Sequence, residues 1–287
     1  MSLLLVAATA AGVALGTPMR TSPLDSLAEE TARLTSRYTD RRTAIADGYR
    51  RIGSDFPSMG EHWLHAGVLI AQRVAAGRPT ILTYASIDGT PTLLGVGFVV
   101  TTRGDSLAEG APGWPDRWHE HSGLLSDESG AGTARGAPST SETKVWVLHI
   151  WTALANPAGR YESDNWALPF LRAGLPVPTH LDADIGRALA FAVGGGDEFF
   201  RRVLTDAGLR HGSNTAAVDA AIARARTGAE LAIADARSAA TVSSPVDLSA
   251  LRAVWSDFGA SLRTVIGPSV EPFLAPPHPA KAGHAHP

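Results

Sequence analysis

Apolar residues recur at helical spacing near the start of the chain: Leu24, Leu27, Leu34, Tyr38, Ile45 and Tyr49 fall on one face. A 3.6-residue period makes such a stripe the buried side of an amphipathic helix. Ser22-Pro23-Leu24-Asp25 supplies its start, with a capping hydroxyl, a proline at the first helical position and an acid three residues after the cap. The pattern predicts one helix running to about Arg50 and stopping before Gly53. The period then changes. Residues 80–100, TILTYASIDGTPTLLGVGFVV, are two β-rich runs around Asp88-Gly89, a tight-hairpin pair. Lys144 to Trp151, KVWVLHIW, is apolar on both faces and so belongs inside a sheet. From about Leu181 the helical period returns over 181–194, 197–208, 214–240 and 247–265. The expected fold class is α+β: an N-terminal helix, a small mainly antiparallel sheet and a helical C-terminal region. Its parts are an α+β unit over 22–175, a helical region over 181–266 and a Pro/His tail over 270–287. Trp255 and Phe258 give the helical region an apolar face for an intramolecular or homodimer contact.

Composition narrows the chemistry. Of 287 residues, 44% are hydrophobic and 18% charged, enough for a real core. A net charge of −3 gives no basic footprint for nucleic acid. No cysteine is present, which removes disulfides, thiolate nucleophiles and iron–sulfur clusters. Any metal must then be held by His, carboxylate, Met or backbone oxygen, which suits transition ions. Leu3 to Leu15 is an uncharged apolar run followed by a small-residue cleavage pattern, so residues 1–16 fit a signal peptide, although no Lys or Arg precedes the run. The run is too short to span a bilayer, and no later stretch is long enough. The expectation is an exported protein, periplasmic or extracellular, with no integral membrane span; the alternative is a cytoplasmic protein with a buried N-terminal segment.

Five of the ten histidines lie in three short pieces, His62 and His65, His119 and His121, and His149. Residues three apart share a face of a helical turn, and residues two apart share a face of a strand, so each piece can aim imidazoles one way. On a strand Glu120 would point away from its two neighbours. Trp63, Trp118, Trp146 and Trp151 accompany the histidines, the dry aromatic shell a tuned metal site uses. The leading expectation is one metal ion (zinc, copper or iron) on His62, His119, His121 and His149. Glu61 or Glu120 would be the candidate general base of a metal-dependent hydrolase if an open position held water for attack on a small-molecule substrate, and copper or iron would equally allow the oxygen chemistry of an oxidoreductase in a Trp-lined pocket. Competing expectations are metal carriage or sensing without catalysis, to which His278, His284 and His286 in the tail could contribute, and a structural or interaction module with histidines in its core. No G-x-S-x-G elbow is present, and GVGFVV and AVGGGDEFF lack the strand–glycine–helix context of a nucleotide loop.

Three stretches, GYRRIGSDFPSMGEHW, ILTYASIDGTPTLLGVGFVV and VLHIWTALANPAGRYESDNWALPF, resemble a family of uncharacterised, usually exported bacterial proteins. The shared pattern is a GY, an MG-x-H-[WY], an L-x-Y strand before a hairpin, and H-x-W…NP-x-G-x-[FY]…N. It covers about residues 44–170 and picks out Tyr49, Gly60, His62, His149, Trp151, Asn156, Pro157, Gly159 and Asn165. The resemblance implies a coherent unit and favours His62 and His149 over His65, and it supplies no reaction.

Overall fold

The structure, a computed structural model, describes residues 22–103, 111–114, 116–121, 143–239 and 246–275, with only the backbone of Arg103, His121 and Thr143. The expected leader (1–16) and the tail histidines His278, His284 and His286 lie outside these residues.

Helix α1 (Pro23–Thr35) begins where the sequence places it, Ser22 Oγ accepting from Asp25 N. The single long helix expected to Arg50 is instead broken. After a 3-10 turn at Ser36–Thr39, Asp40 accepts from Arg42 N and starts α2 (Arg41–Ala46). The break lets Tyr38 and Tyr49 turn inward together, rings 5.3 Å apart, so Leu24, Tyr38 and Tyr49 of the stripe pack on the sheet while Ile45 is left 40% exposed.

Among the described residues six strands follow: β1 (Arg50–Phe56), β2 (Gly60–Leu64), β3 (Ile81–Ile87), β4 (Thr90–Arg103), β5 (His119–His121) and β6 (Thr143–Ile150). They form one antiparallel sheet in the order β1-β2-β3-β4-β6-β5. The β3–β4 hairpin turns on Asp88 and Gly89, both at positive φ, the backbone such a two-residue turn demands. β6 lies between β4 and β5, as its two apolar faces require. The β1–β2 hairpin was not expected from the pattern, because its seven and five residues are interrupted by Gly53 in a bulge and share no clean alternation. Gly60 ends its turn at φ 83°, where a Cβ would overlap Tyr84 O. Short helix α3 (Ala66–Ala71) follows β2.

One face of the sheet carries Trp63, Leu82, Tyr84, Val96, Phe98, Leu148 and Ile150. It is covered by Leu24 and Ala28 of α1 with Tyr38, Ala44 and Tyr49. The other face carries the histidines. The helical half consists of α4 (Leu168–Arg172), α5 (Ala183–Ala190), α6 (Gly196–Asp206), α7 (Thr215–Ala239), α8 (Ser249–Ile266) and a last turn α9 (Glu271–Leu274). Phe56 and Met59 of the β1–β2 hairpin belong to the same continuous core as α5–α9, so the helical region packs directly on the sheet. The glycine run at 194–196 makes this contact close: Gly195 N donates to Asp55 O, and a Cβ there would lie 2.5 Å from that oxygen. Beside it Arg172, its side chain 4% exposed, donates from Nη2 to Asp55 Oδ1 at 2.6 Å. Trp255 and Phe258 are buried against Phe191 and Phe200, so their apolar face is satisfied within the chain.

Candidate functional site: the histidine face

Residues paired across an antiparallel ladder share a face. His62 pairs with Ile52 on β1 and Thr83 on β3; Thr83 pairs with Gly95 on β4. His149 pairs with Gly97, which pairs with Ile81 and so lies two residues from Gly95 on the same side. His119 pairs with Val147, two residues from His149. His62, His149 and His119 therefore all belong to the face opposite Trp63 and Phe98. His119–His121 form a short strand, the geometry in which Glu120 turns away from its two neighbours, and its register pairs His121 with Val145, while the His121 side chain lies outside what the structure describes.

Among the described residues, the face does not bring the candidate side chains to one point. The His119 and His149 rings are near-parallel, 13° between planes with centroids 5.1 Å apart. His62 lies on β2, separated from β6 by β3 and β4, about 14 Å in a flat sheet. The sheet is not flat there. A Cβ on Gly95 would sit 2.6 Å from Ile150 O, so β6 curls toward the histidine face and only glycine permits the approach. Even so, among the described residues no group of three or more His, Asp or Glu side chains is arranged to hold a metal ion. His62 is 3% exposed, with the Phe56 ring edge-on at 5.5 Å. That places it at the seam between sheet and helical core.

Both candidate general bases face the other way. Glu61 shares its face with Trp63, whose Nε1 donates to it at 3.2 Å, and it bridges Arg41 (3.2 Å) and Arg51 (3.1 Å). Arg41 in turn lies over the Trp63 ring at 5.2 Å. Glu120 pairs with Lys144 at 3.0 Å. Strand alternation dictates both outcomes: each glutamate neighbours a candidate histidine in sequence and so must point to the opposite side.

His65 does not share a helical face with His62, because residues 60–64 form a strand. It caps α3 instead, Nδ1 accepting from Val68 N at 3.2 Å, with Tyr49 edge-on at 5.1 Å. The H-x-W…NP-x-G…N stretch is scaffolding for the same region. Trp151 Nε1 donates to Glu162 O at 2.6 Å and Asn156 Nδ2 to Asp164 O at 2.8 Å. Buried Asn165 donates to Ala155 O and accepts from Ala167 N. These bonds close a loop from the end of β6 to α4, fastened to the β1–β2 turn by Asn165 N to Ser58 O and Ser58 Oγ to Asp164 at 2.5 Å. Tyr161 ties the loop to α1 through Asp25, and burial together with that carboxylate pushes its phenol up to about 12.

Sequence reading missed Arg187. It is buried on α5 inside LDADIGRALAFAV, and burial holds its pKa below the ordinary guanidinium value. One cation within an otherwise apolar helical stripe was the available signal. No family model, no curated protein and no solved structure matches this chain.

Proposed function

We propose that this protein binds one transition-metal ion (zinc, copper or iron) at the β5–β6 end of the histidine face, with His149 and His119 as ligands and His121 as the third. The observation that supports this is the His119–His149 pair: two imidazoles from neighbouring strands, 5.1 Å between centroids, with His149 buried and His119 half-buried. Imidazole lone pairs lie in the ring plane, so near-parallel rings present them side by side; a metal at roughly 2.0 Å from each nitrogen requires one ring to turn. His119 stands on the short edge strand and is the one with room to do so. His62 is assigned to packing at the Phe56 seam rather than to the ion.

Binding without hydrolysis is the reading the geometry favours, because Glu61 and Glu120, the carboxylates expected to activate a water, are engaged on the opposite face. A structural module is the second reading, supported by the near-parallel rings and by the burial of His62 and His149. Electron paramagnetic resonance of the copper(II)-loaded protein separates the two. Nitrogen hyperfine structure from two or three imidazoles, reduced in His149→Ala, supports the site. A spectrum unchanged in both His149→Ala and His119→Ala supports the structural module.

A further inference from the structure

Far from the histidines, α5, α6, α8 and α9 line a half-open pocket of about 20 Å³, space for roughly one water molecule. Its walls are Trp166, Phe199, Phe200, Val203, Trp255 and Phe273, and among the described residues Arg187 is the charged one that lines it. The Arg187 guanidinium lies 5.1 Å from the Trp255 ring centre. A guanidinium taken out of water ordinarily meets a carboxylate, whose two oxygens match its fork. The nearest acid here, Asp184, is 3.9 Å away on an exposed turn of the same helix. The fork is filled instead by two successive backbone carbonyls, Leu274 O on Nη1 at 3.2 Å and Ala275 O on Nη2 at 2.8 Å.

Those carbonyls belong to a strap, residues 268–275, that begins at Gly267 with φ 84° and ψ −161°, backbone values only glycine adopts readily. The strap lays the Phe273 ring against Trp255, 6.3 Å between centroids. Its outer side is held by Arg263 to Glu271, a two-pronged pair at 2.7 and 3.1 Å that is half exposed. The strap thus offers Arg187 and the aromatic wall an aryl ring and a pair of oxygens. We propose that this is a binding site for arylalkyl monocarboxylates, and that the chain's own 268–275 strap occupies it as a displaceable stand-in. The carboxylate would replace the Leu274 and Ala275 carbonyls on Arg187, and its ring would replace Phe273 beside Trp255. No bond is made or broken.

The test is calorimetric titration of the full chain with 3-phenylpropionate, and with 3-phenylpropanol as the probe of the same ring without charge. Phe273→Ala vacates a ring-sized space while leaving Arg187 in place, so it is expected to bind 3-phenylpropionate at least about tenfold more tightly than the wild type. The alcohol should bind Phe273→Ala about tenfold or more weakly than the acid, the difference being the charge-assisted pair. Arg187→Gln in the Phe273→Ala background should remove that preference. Equal binding of acid and alcohol to Phe273→Ala would show a merely apolar hole and overturn the proposal, as would no binding of the acid to that variant or no detectable binding of the acid to the wild type, whose strap would then not be displaceable. The acid–alcohol comparison on Phe273→Ala decides the matter even if Arg187→Gln does not fold.

Discussion

Asp55→Ala is the sharpest perturbation of how the sheet and the helical half are joined. Arg172 is 4% exposed and its charge is met by Asp55 at 2.6 Å, with a weaker donation to Phe56 O at 3.4 Å. Removing the carboxylate leaves a guanidinium buried beside Gly194 and Gly195 with one carbonyl for company. Breaking a buried pair from one side costs about 3–5 kcal/mol. The Asp55 side chain is 22% exposed, so water reaches the gap and the lower end, about 3 kcal/mol, is expected. For a chain of this size that corresponds to a fall in Tm of roughly 6–12 °C. Urea unfolding followed by tryptophan fluorescence measures it, with the midpoint moving and the slope unchanged. The double variant Asp55→Ala/Arg172→Leu removes the stranded charge and should recover at least about half the loss. As a comparison, Glu230→Ala breaks the half-exposed pair with Arg226 and should cost only about 0–0.5 kcal/mol. A loss below about 1 kcal/mol for Asp55→Ala, or no recovery in the double variant, would refute the reasoning that this pair is a buried tie.

Other consequences are equally direct. Asn165→Ala strands Ala155 O and Ala167 N in a buried loop and should destabilise by about 2–4 kcal/mol, read as a shift of the urea midpoint; a change within about 0.5 kcal/mol would show the loop is not held by this side chain. Arg210 grips both oxygens of Asp219 at 2.8 and 2.9 Å, and these hydrogen bonds hold the carboxyl below its ordinary pKa. A depressed folded-state pKa gives stability that is present above the unfolded value and lost as pH falls through the folded one. Asp219→Asn should therefore be less stable than wild type at pH 7, with the gap closing as pH falls through and below the ordinary carboxylate range. A gap that persists in acid would contradict that linkage.

The legible parts of the chain were those where pattern and local chemistry agree. The run of helices after 181 shows its period, Asp88-Gly89 announces its turn, and KVWVLHIW announces an interior strand. The N-terminal helix misled because its stripe is continuous through Tyr38 while Asp40 caps a new helix; a periodic pattern does not say whether the axis bends. The β1–β2 hairpin was hidden by the Gly53 bulge, and with it the setting of His62, read as one edge of a helical turn and found on a strand. Once the strand is known, alternation fixes the face of His62, Glu61 and Trp63 together. That His62, His119 and His149 would share a face could be hoped for from sequence, but how far apart they stand depends on strand order, β2 at one side of β3–β4 and β6 at the other, which no local signal carries. Arg187 was overlooked for a related reason: its partners, Leu274 and Ala275, lie 87 and 88 residues away.

Equilibrium dialysis against zinc, in the full chain with His278, His284 and His286 replaced by alanine so that only internal histidines remain, tests the central claim. One ion per chain is expected, lost in His149→Ala and in His119→Ala and retained in His62→Ala. No bound ion, or one that survives both His149→Ala and His119→Ala, would contradict the site.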